Sequence, residues 1–235
     1  MGKKKLVRFR DLETLSRVFQ PPFEEVYDKD YRLKGRWKAE VFGNENPVVL
    51  ELGCGKGEYT VGLAGMNPEK NYIGLDIKGA RIWTGARIAN DEGLENVAFL
   101  RSRIDFITSF FARNEVDEIW ITFPDPQSKK RRRRKRLTGA RFLNLYRQLL
   151  KDDGVVHLKT DNSGLYKYTL GLVKQNKLVI ERHTDDLYNS GWSDETVSIQ
   201  TYYESRFRTE GSKIHFIQFR LPSDGEIEEL LSDDE

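Results

Sequence analysis

Val48-Val49-Leu50-Glu51-Leu52-Gly53-Cys54-Gly55-Lys56-Gly57 is the stretch that decides the fold. Pro47 opens it, and the apolar, β-branched run that follows has the character of a buried strand. Three glycines at alternate positions then allow a sharp turn and a close backbone approach to a ligand, where side chains would block both. Tyr59, Leu63 and Met66 continue at helical spacing. Residues 71–76 read as a second strand that ends in Asp76. An acid about twenty residues past such a loop can accept hydrogen bonds from ribose hydroxyls.

This corner fits a nicotinamide dinucleotide or S-adenosylmethionine, and three features favour the second. Glu58 stands where the dinucleotide fingerprint wants its third glycine. Glu51, just before the loop, would repel a pyrophosphate but suits a cationic ligand. No group on the chain resembles a hydride-transfer site. Lys56 lacks the Gly-Lys-Ser/Thr context of a nucleotide-hydrolysing loop, and Cys54 reads as a small filler of the turn.

Outward from the loop, strand and helix alternate. Residues 77–90 read as helix, 97–100 as strand, 104–111 as a short amphipathic helix and 119–123 as strand. A helix is expected over 137–150, a turn at Asp152-Asp153-Gly154 and a strand over 155–158. Residues 163–175 then form a helix with Ser163 as N-cap. Two late strands, 178–183 and 213–221, have no helix between them, so that edge is expected to be antiparallel. The alternation predicts an α/β fold with a mostly parallel sheet covered on both faces, and ligands in such sheets bind beyond the carboxyl ends of the strands.

A second dense stretch lies at one of those ends: Ile119-Trp120-Ile121-Thr122-Phe123-Pro124-Asp125-Pro126-Gln127-Ser128, followed by the cations Lys129 to Arg136. Proline cannot donate to a sheet ladder, so the strand stops at Pro124. Asp125 is an acid held between two prolines beside a dense positive run. That pairing points to chemistry next to a bound polyanion, although an aspartate in a turn can also simply cap local backbone.

The chain has 235 residues, enough for one α/β domain with a sizeable core. Net charge is only +2, but charge is segregated: Lys3, Lys4, Lys5, Arg8 and Arg10 at the start, the basic run in the middle, acids from Asp224 to the end. Three units follow: a basic N-terminal extension (1–46) that packs on the core, a central domain (47–221) and an acidic tail (222–235). In the extension, residues 1–10 are expected to be a mobile tail. Leu12, Leu15, Val18 and Phe19, then Trp37, Val41 and Phe42, show helical spacing. A shielding role for the acidic tail over the basic run is a hypothesis at this point. No apolar stretch is long enough to span a membrane, and the start lacks the apolar core of a signal peptide. A single cysteine fits a reducing compartment, here the cytoplasm. His157, His183 and His215 are scattered, so no metal site is expected.

Phe42-Gly43-Asn44, Pro47 and Leu50 to Gly57 resemble the cofactor entry of the tRNA (guanine-N7-)-methyltransferase family. Phe123-Pro124-Asp125-Pro126 with Lys129-Lys130-Arg131 is similar to that family's signature loop, and Thr201-Tyr202-Tyr203-Glu204 with Phe207 to its Thr-x-Tyr-Glu-x-x-Phe motif. The match spans roughly residues 36 to 221. It implies a Rossmann-like class I methyltransferase with a mostly parallel seven-stranded sheet, helices on both faces and an antiparallel edge. It also implies S-adenosylmethionine as methyl donor and the variable-loop guanine of tRNA (nucleotide 46 in tRNA numbering) as acceptor. By motif position Glu51, Gly53, Gly55, Gly57 and Asp76 would serve the cofactor, and Asp125 catalysis. Lys129, Asp161, Thr201, Tyr202, Tyr203 and Glu204 would touch the RNA. Tyr202, Tyr203, Trp192 and Phe123 are candidates to hold an exposed base, and each could equally be core.

Two departures stand out. Gln127 and Ser128 replace the tryptophan and the proline or histidine usual after the second proline. Arg103 stands near the adenine position where the family has an acid or amide, with Asp105 two residues on. The expected protein is a monomer or homodimer whose partner is tRNA. Alternatives at this stage are an RNA-binding protein on a decayed methyltransferase fold, a nicotinamide oxidoreductase, and a methyltransferase for proteins or small molecules.

Overall fold

The computed structural model describes residues 3–231. Eight strands form one sheet in the order β1-β4-β3-β2-β5-β6-β8-β7. They are β1 (Val18–Phe19), β2 (Val48–Leu52), β3 (Asn71–Asp76), β4 (Val97–Arg101), β5 (Val116–Thr122), β6 (Leu150–Thr160), β7 (Ile180–Thr184) and β8 (His215–Leu221). From β1 to β6 all neighbours run parallel; β8 pairs antiparallel with both β6 and β7. The strand order reverses between β2 and β5, and the carboxyl ends on either side of that point are where such sheets bind ligands.

The helices are α1 (Lys3–Leu12), α2 (Glu58–Met66), α3 (Gly79–Asp91), α4 (Ile107–Phe110), α5 (Ala140–Tyr146), α6 (Ser163–Gln175), α7 (Glu195–Ser198) and α8 (Tyr202–Thr209). Alternation along β2 shows why the sheet is covered twice. Val48, Leu50 and Leu52 enter one apolar cluster with Phe142, Leu143 and Leu172, while Val49 enters another with Tyr59, Ile82 and Trp120.

The seven expected strands are all present, and β1 adds an eighth. Val18 and Phe19 were expected to be helical but pair with Phe99 and Leu100 of β4, because that edge offers unpaired backbone groups. Residues 3–10 are helical, as part of α1, rather than a mobile tail. Arg8 covers the Trp83 ring at 4.8 Å and Asp11 accepts from the indole N–H. Met1 and Gly2 lie outside the described residues. Trp37 and Phe42 sit on a π-helical turn, Trp37–Phe42, and are buried. The Trp37 indole donates to Phe110 O at 2.9 Å and stacks on Phe111 at 5.4 Å.

Other boundaries shift for local reasons. The 152–154 turn lies within β6 as an irregularity: Leu150 pairs with Val116 and Val155 with Glu118, and Asp153 carries a φ of 55°. Asn162, not Ser163, caps α6 by accepting from Leu165 N at 2.8 Å. The late strands are separated by α7 and α8, against expectation, yet they still pair antiparallel through β8. Among the described residues no helix is long and apolar enough to cross a membrane, and no group of His, Cys, Asp and Glu could hold a metal ion.

If the extension is integral to the core, Trp37→Ala should lower unfolding free energy by about 3–5 kcal/mol in denaturant titration. A loss below about 1 kcal/mol would mean that the extension is detachable from the folded core.

Candidate active site at the strand switch point

All three loop glycines adopt the left-handed region, with φ of 77° at Gly53, 57° at Gly55 and 71° at Gly57. Side chains there would strain the turn. At Gly57 a Cβ would also stand 2.6 Å from the Phe99 ring. The Gly53 and Cys54 amides both donate to Leu75 O, at 2.8 and 3.1 Å, so the loop folds over the end of β3. Asp76 completes the corner, accepting from Gly55 N at 3.0 Å and from Lys78 N at 2.7 Å.

Gly53 and Asp76 open onto a cavity of about 550 Å3, a size suited to a small organic ligand. Its other walls include Ile77, Arg103, Leu137 and Phe142. A Cβ on Gly53 would meet Leu137 Cδ1 at 3.8 Å, an ordinary contact, so it is the left-handed backbone rather than space that calls for glycine there. Arg103 does line the cavity, and its guanidinium is turned to Asp105, with Nη2 3.2 Å from Oδ2. Arg141 holds the other Asp105 oxygen at 2.7 Å. Partial burial alone would raise Asp105, but the hydrogen bonds from Arg141 and Arg103 outweigh it and hold the carboxyl below its ordinary range. Asp105 therefore stands on the cavity wall in the company of Arg103.

Glu51 lies beneath the loop, 3% exposed. Its Oε2 accepts from Thr60 N at 2.8 Å and from the Thr60 hydroxyl; Oε1 accepts from Thr122 Oγ1 at 2.6 Å. Burial pushes its pKa up to about 7, opposed by the hydrogen bonds from Thr122 and Thr60 and aided by nearby Asp76. Burial, with Glu51 and Asp76 nearby, also pushes the Cys54 thiol up, consistent with a filler rather than a nucleophile.

Across the switch point, β5 runs out at Thr122 and Phe123 donates its amide to Lys159 O at 2.8 Å. Phe123 and Gln127 bracket the Pro-Asp-Pro turn with φ of 46° and 50°. Such backbone in non-glycine residues costs on the order of 1–3 kcal/mol and clusters at functional sites. Asp125 is exposed, and its Oδ1 accepts from Gln127 N at 3.0 Å. The capping role and an exposed carboxylate therefore coexist. Gln127 Oε1 is buried without a hydrogen-bond partner among the described residues. Lys129 is exposed and leads into a 3-10 turn, Lys130–Lys135, that carries most of the basic run. Arg131, Arg132, Arg134 and Lys135 are exposed, whereas Arg136 is buried.

The Thr-x-Tyr-Glu segment is helical from Tyr202. Thr201 caps α8 by accepting from Glu204 N at 3.2 Å. Glu204 is fully buried and pairs with the equally buried Lys159, 2.7 Å away. Lys159 also donates to Thr196 O and Ile199 O at 2.6 and 3.1 Å, and Tyr188 donates to Glu204 at 2.8 Å. Burial pulls the Lys159 pKa down, and Glu204 opposes that. Thr201 and Glu204 therefore anchor, while Tyr202 and Tyr203 stand 59% and 41% exposed. Tyr202 N donates to Glu58 Oε2 at 3.2 Å, and Lys56 covers its ring at 4.2 Å, so α8 starts against the glycine loop. Trp192 packs edge-on to Phe216 at 5.7 Å, and Phe123 lies 6.0 Å from Phe207. Asp161, half-buried after β6, is raised by that burial, with its own backbone hydrogen bond and His215 opposing.

A family model described as a putative methyltransferase matches residues 45–217. A Bacteroides thetaiotaomicron protein named tRNA (guanine-N(7)-)-methyltransferase is 49% identical over 97% of this chain and 90% of its own length. Proteins of the same name from Christiangramia forsetii and Porphyromonas gingivalis are 50% and 52% identical, covering 94% and 89% of this chain and 99% and 86% of theirs. The chain belongs to the tRNA (guanine-N(7)-)-methyltransferase family. Among solved structures, a 16S rRNA methyltransferase superposes with a TM-score of 0.60 at 12% identity, over 78% of this chain and 91% of its own. An antibiotic-related methyltransferase gives 0.56 at 20%, over 77% and 90%. These two establish a Rossmann-like methyltransferase fold.

In this methyltransferase, sequence reasoning missed the residues that orient the motifs: Thr60 and Thr122 for Glu51, Lys159 for Glu204, Glu58 for Tyr202, and Arg141 for Asp105. Only the threonine at the end of β5, beside the signature loop, carried a local signal.

The raised Glu51 pKa has a measurable sign. Between pH 4.5, its ordinary value, and about 7 the folded protein keeps a proton that the unfolded chain has lost. Its contribution is full below that window and is lost as pH rises through it. Stability should fall with pH across the window, and Glu51→Gln should flatten that slope. An unchanged slope in the variant would place the titration elsewhere.

Proposed function

We propose that the protein transfers a methyl group from S-adenosylmethionine to N7 of a guanine in tRNA, at the variable-loop guanine. The observation that carries this reading is the meeting of two loops at one strand switch point. One is the glycine loop with Asp76 on a cavity, and the other is the Pro-Asp-Pro turn with its cations. The relatives named tRNA (guanine-N(7)-)-methyltransferase span nearly the whole chain, which supports the substrate.

The residues fit the cofactor. Left-handed glycines form a turn that side chains would strain, and Asp76 and Asp105 present acids to the cavity wall. Gly53, Gly55, Gly57 and Asp76 would hold S-adenosylmethionine, with Arg103 and Asp105 at the far wall. Glu51 would act from below, by fixing the loop. When bound, the cofactor supplies a methyl group carried on a sulfonium sulfur.

Guanine N7 has an in-plane lone pair and no proton, so the chain needs no general base to make the nucleophile. Its main task is alignment, which removes much of the entropic barrier. The guanine gains positive charge on methylation. Asp125, which is exposed, would stabilise that charge electrostatically or accept from the guanine N1–H and N2–H groups. Rigid backbone on either side, fixed by two prolines and two left-handed residues, keeps the carboxylate from drifting. The base must be splayed out or sit in irregular tertiary structure to be reached, because the RNA major groove is too narrow to read. Exposed Tyr202 and Tyr203 offer faces for it, and Lys129, Arg131, Arg132 and Arg134 offer charge to phosphates. An enzyme acting on tRNA is assigned to the cytoplasm.

With unmodified tRNA and labelled S-adenosylmethionine, the wild type should label one variable-loop guanine. Borohydride and aniline treatment should then cut the RNA there. Asp125→Ala should lose roughly a hundredfold or more in rate, the scale of removing one electrostatic stabiliser. Labelling without scission, or full activity in the variant, would contradict the assignment.

A further inference from the structure

The chain after β8 runs back across α5 and α6 and is held there by its backbone. Arg147 Nη2 donates to Ser223 O at 2.7 Å. Asn144 brackets Ile227, donating to its carbonyl at 2.8 Å and accepting its N–H at 3.0 Å. Asn176 brackets Glu228 in the same way, at 2.9 and 2.8 Å. Gln175 takes Glu229 O and Leu231 N, both at 3.0 Å. Ile227 is buried in the main core cluster, and Leu230 packs over Gly171. Residues 232–235, the rest of the expected acidic tail, lie outside the described residues.

This docking fixes Glu229, whose carboxylate accepts from the Tyr168 hydroxyl. The Tyr168 ring lies under the Arg136 guanidinium, 4.1 Å from its centre. Arg136 in turn donates Nε to Pro126 O at 3.2 Å. A Thr138–Thr169 hydroxyl bond of 2.7 Å ties the intervening segment to α6. Gly139 permits this approach, since a Cβ there would stand 3.1 Å from the Tyr168 hydroxyl.

We propose that Glu229, Tyr168 and Arg136 are positioning residues through which the docked C-terminal segment sets the placement of the Pro-Asp-Pro turn and hence of Asp125. This rests on the reading of Asp125 as the residue that acts on the guanine. The turn needs outside support because it carries left-handed backbone at both Phe123 and Gln127, and such backbone persists only where its surroundings over-determine it. A buried guanidinium, for its part, needs compensation. The face of Tyr168 supplies a cation–π contact, and the carboxylate at its hydroxyl makes that ring more electron-rich. Simple shielding of the cations fits less well. Glu229 reaches, through Tyr168, the buried Arg136, while Arg131, Arg132 and Arg134 stay exposed.

The test uses the full chain with Tyr168→Phe, Glu229→Ala and the double variant, beside wild type and Asp125→Ala. Tyr168→Phe removes one oxygen and keeps the ring, so it guards against a variant that fails to fold. Each single change should lower kcat roughly tenfold, equivalent to about 1.4 kcal/mol at the barrier, and the double should lower it little further. The KM for tRNA and the affinity for S-adenosylhomocysteine should stay within about twofold, since only an interaction felt at the barrier is lost. Without any substrate, amide hydrogen exchange across residues 123–129 should quicken in all three variants. Wild-type kcat in both single variants would overturn the proposal. So would a lower KM for tRNA at unchanged kcat, which is the signature of shielding. If the wild type makes no N7-methylguanosine, or Asp125→Ala remains active, the underlying reading has failed. The exchange rates then still decide whether the tail braces the turn.

Discussion

The carboxylate of Glu51 sits at the point where the sheet reverses its order, and the rest of the site is hung from it. A buried carboxylate is costly unless it is hydrogen-bonded. Here the bonds come from Thr60 on α2 and Thr122 at the end of β5. One group thus joins three elements: the strand before the glycine loop, the helix after it, and the strand that launches the Pro-Asp-Pro turn. The glycine-loop side and the Pro-Asp-Pro side cannot shift apart without leaving that carboxylate unsatisfied. The raised pKa of Glu51 follows from the same burial, so its proton reports on the joint itself.

A second buried charge closes the arrangement from the antiparallel side. Lys159 near the end of β6 pairs with Glu204 on α8, and Lys159 O receives the Phe123 amide. The helix that presents Tyr202 and Tyr203 is therefore tied to the same turn that presents Asp125. Glu58 adds a third tie, from the glycine loop to the first residue of α8. Breaking a buried pair such as Lys159–Glu204 costs about 3–5 kcal/mol, so these ties also carry stability. Their value for function is geometric: exposed groups stand on a frame held by the buried Lys159–Glu204 pair.

What was legible in the sequence is what local chemistry writes there. Glycine at left-handed turns, proline at a strand end, and an acid closing the next strand marked the glycine-loop corner and the Pro-Asp-Pro turn. Strand and helix alternation gave the parallel sheet. What depended on distant partners was not legible. Val18 and Phe19 joined the sheet because β4 had a free edge, although their spacing read as helix. Glu204 was read as a possible RNA contact; its burial required knowing that Lys159 lies across from it. The acids after Asp224 read as a charged tail, yet Ile227 and the flanking asparagines seat that segment on α5 and α6. The basic run read as one continuous positive stretch, whereas Arg136 is folded inward onto Tyr168.

The central claim is a division of labour across the switch point: the Asp76 side holds the cofactor and the Asp125 side acts on the base. Calorimetric titration of S-adenosylhomocysteine into wild type, Asp76→Ala and Asp125→Ala tests it most directly. The account predicts wild-type affinity for Asp125→Ala and a loss of roughly tenfold or more for Asp76→Ala, the scale of removing one partner of a buried hydrogen bond. Equal losses in both, or loss in Asp125→Ala alone, would contradict it.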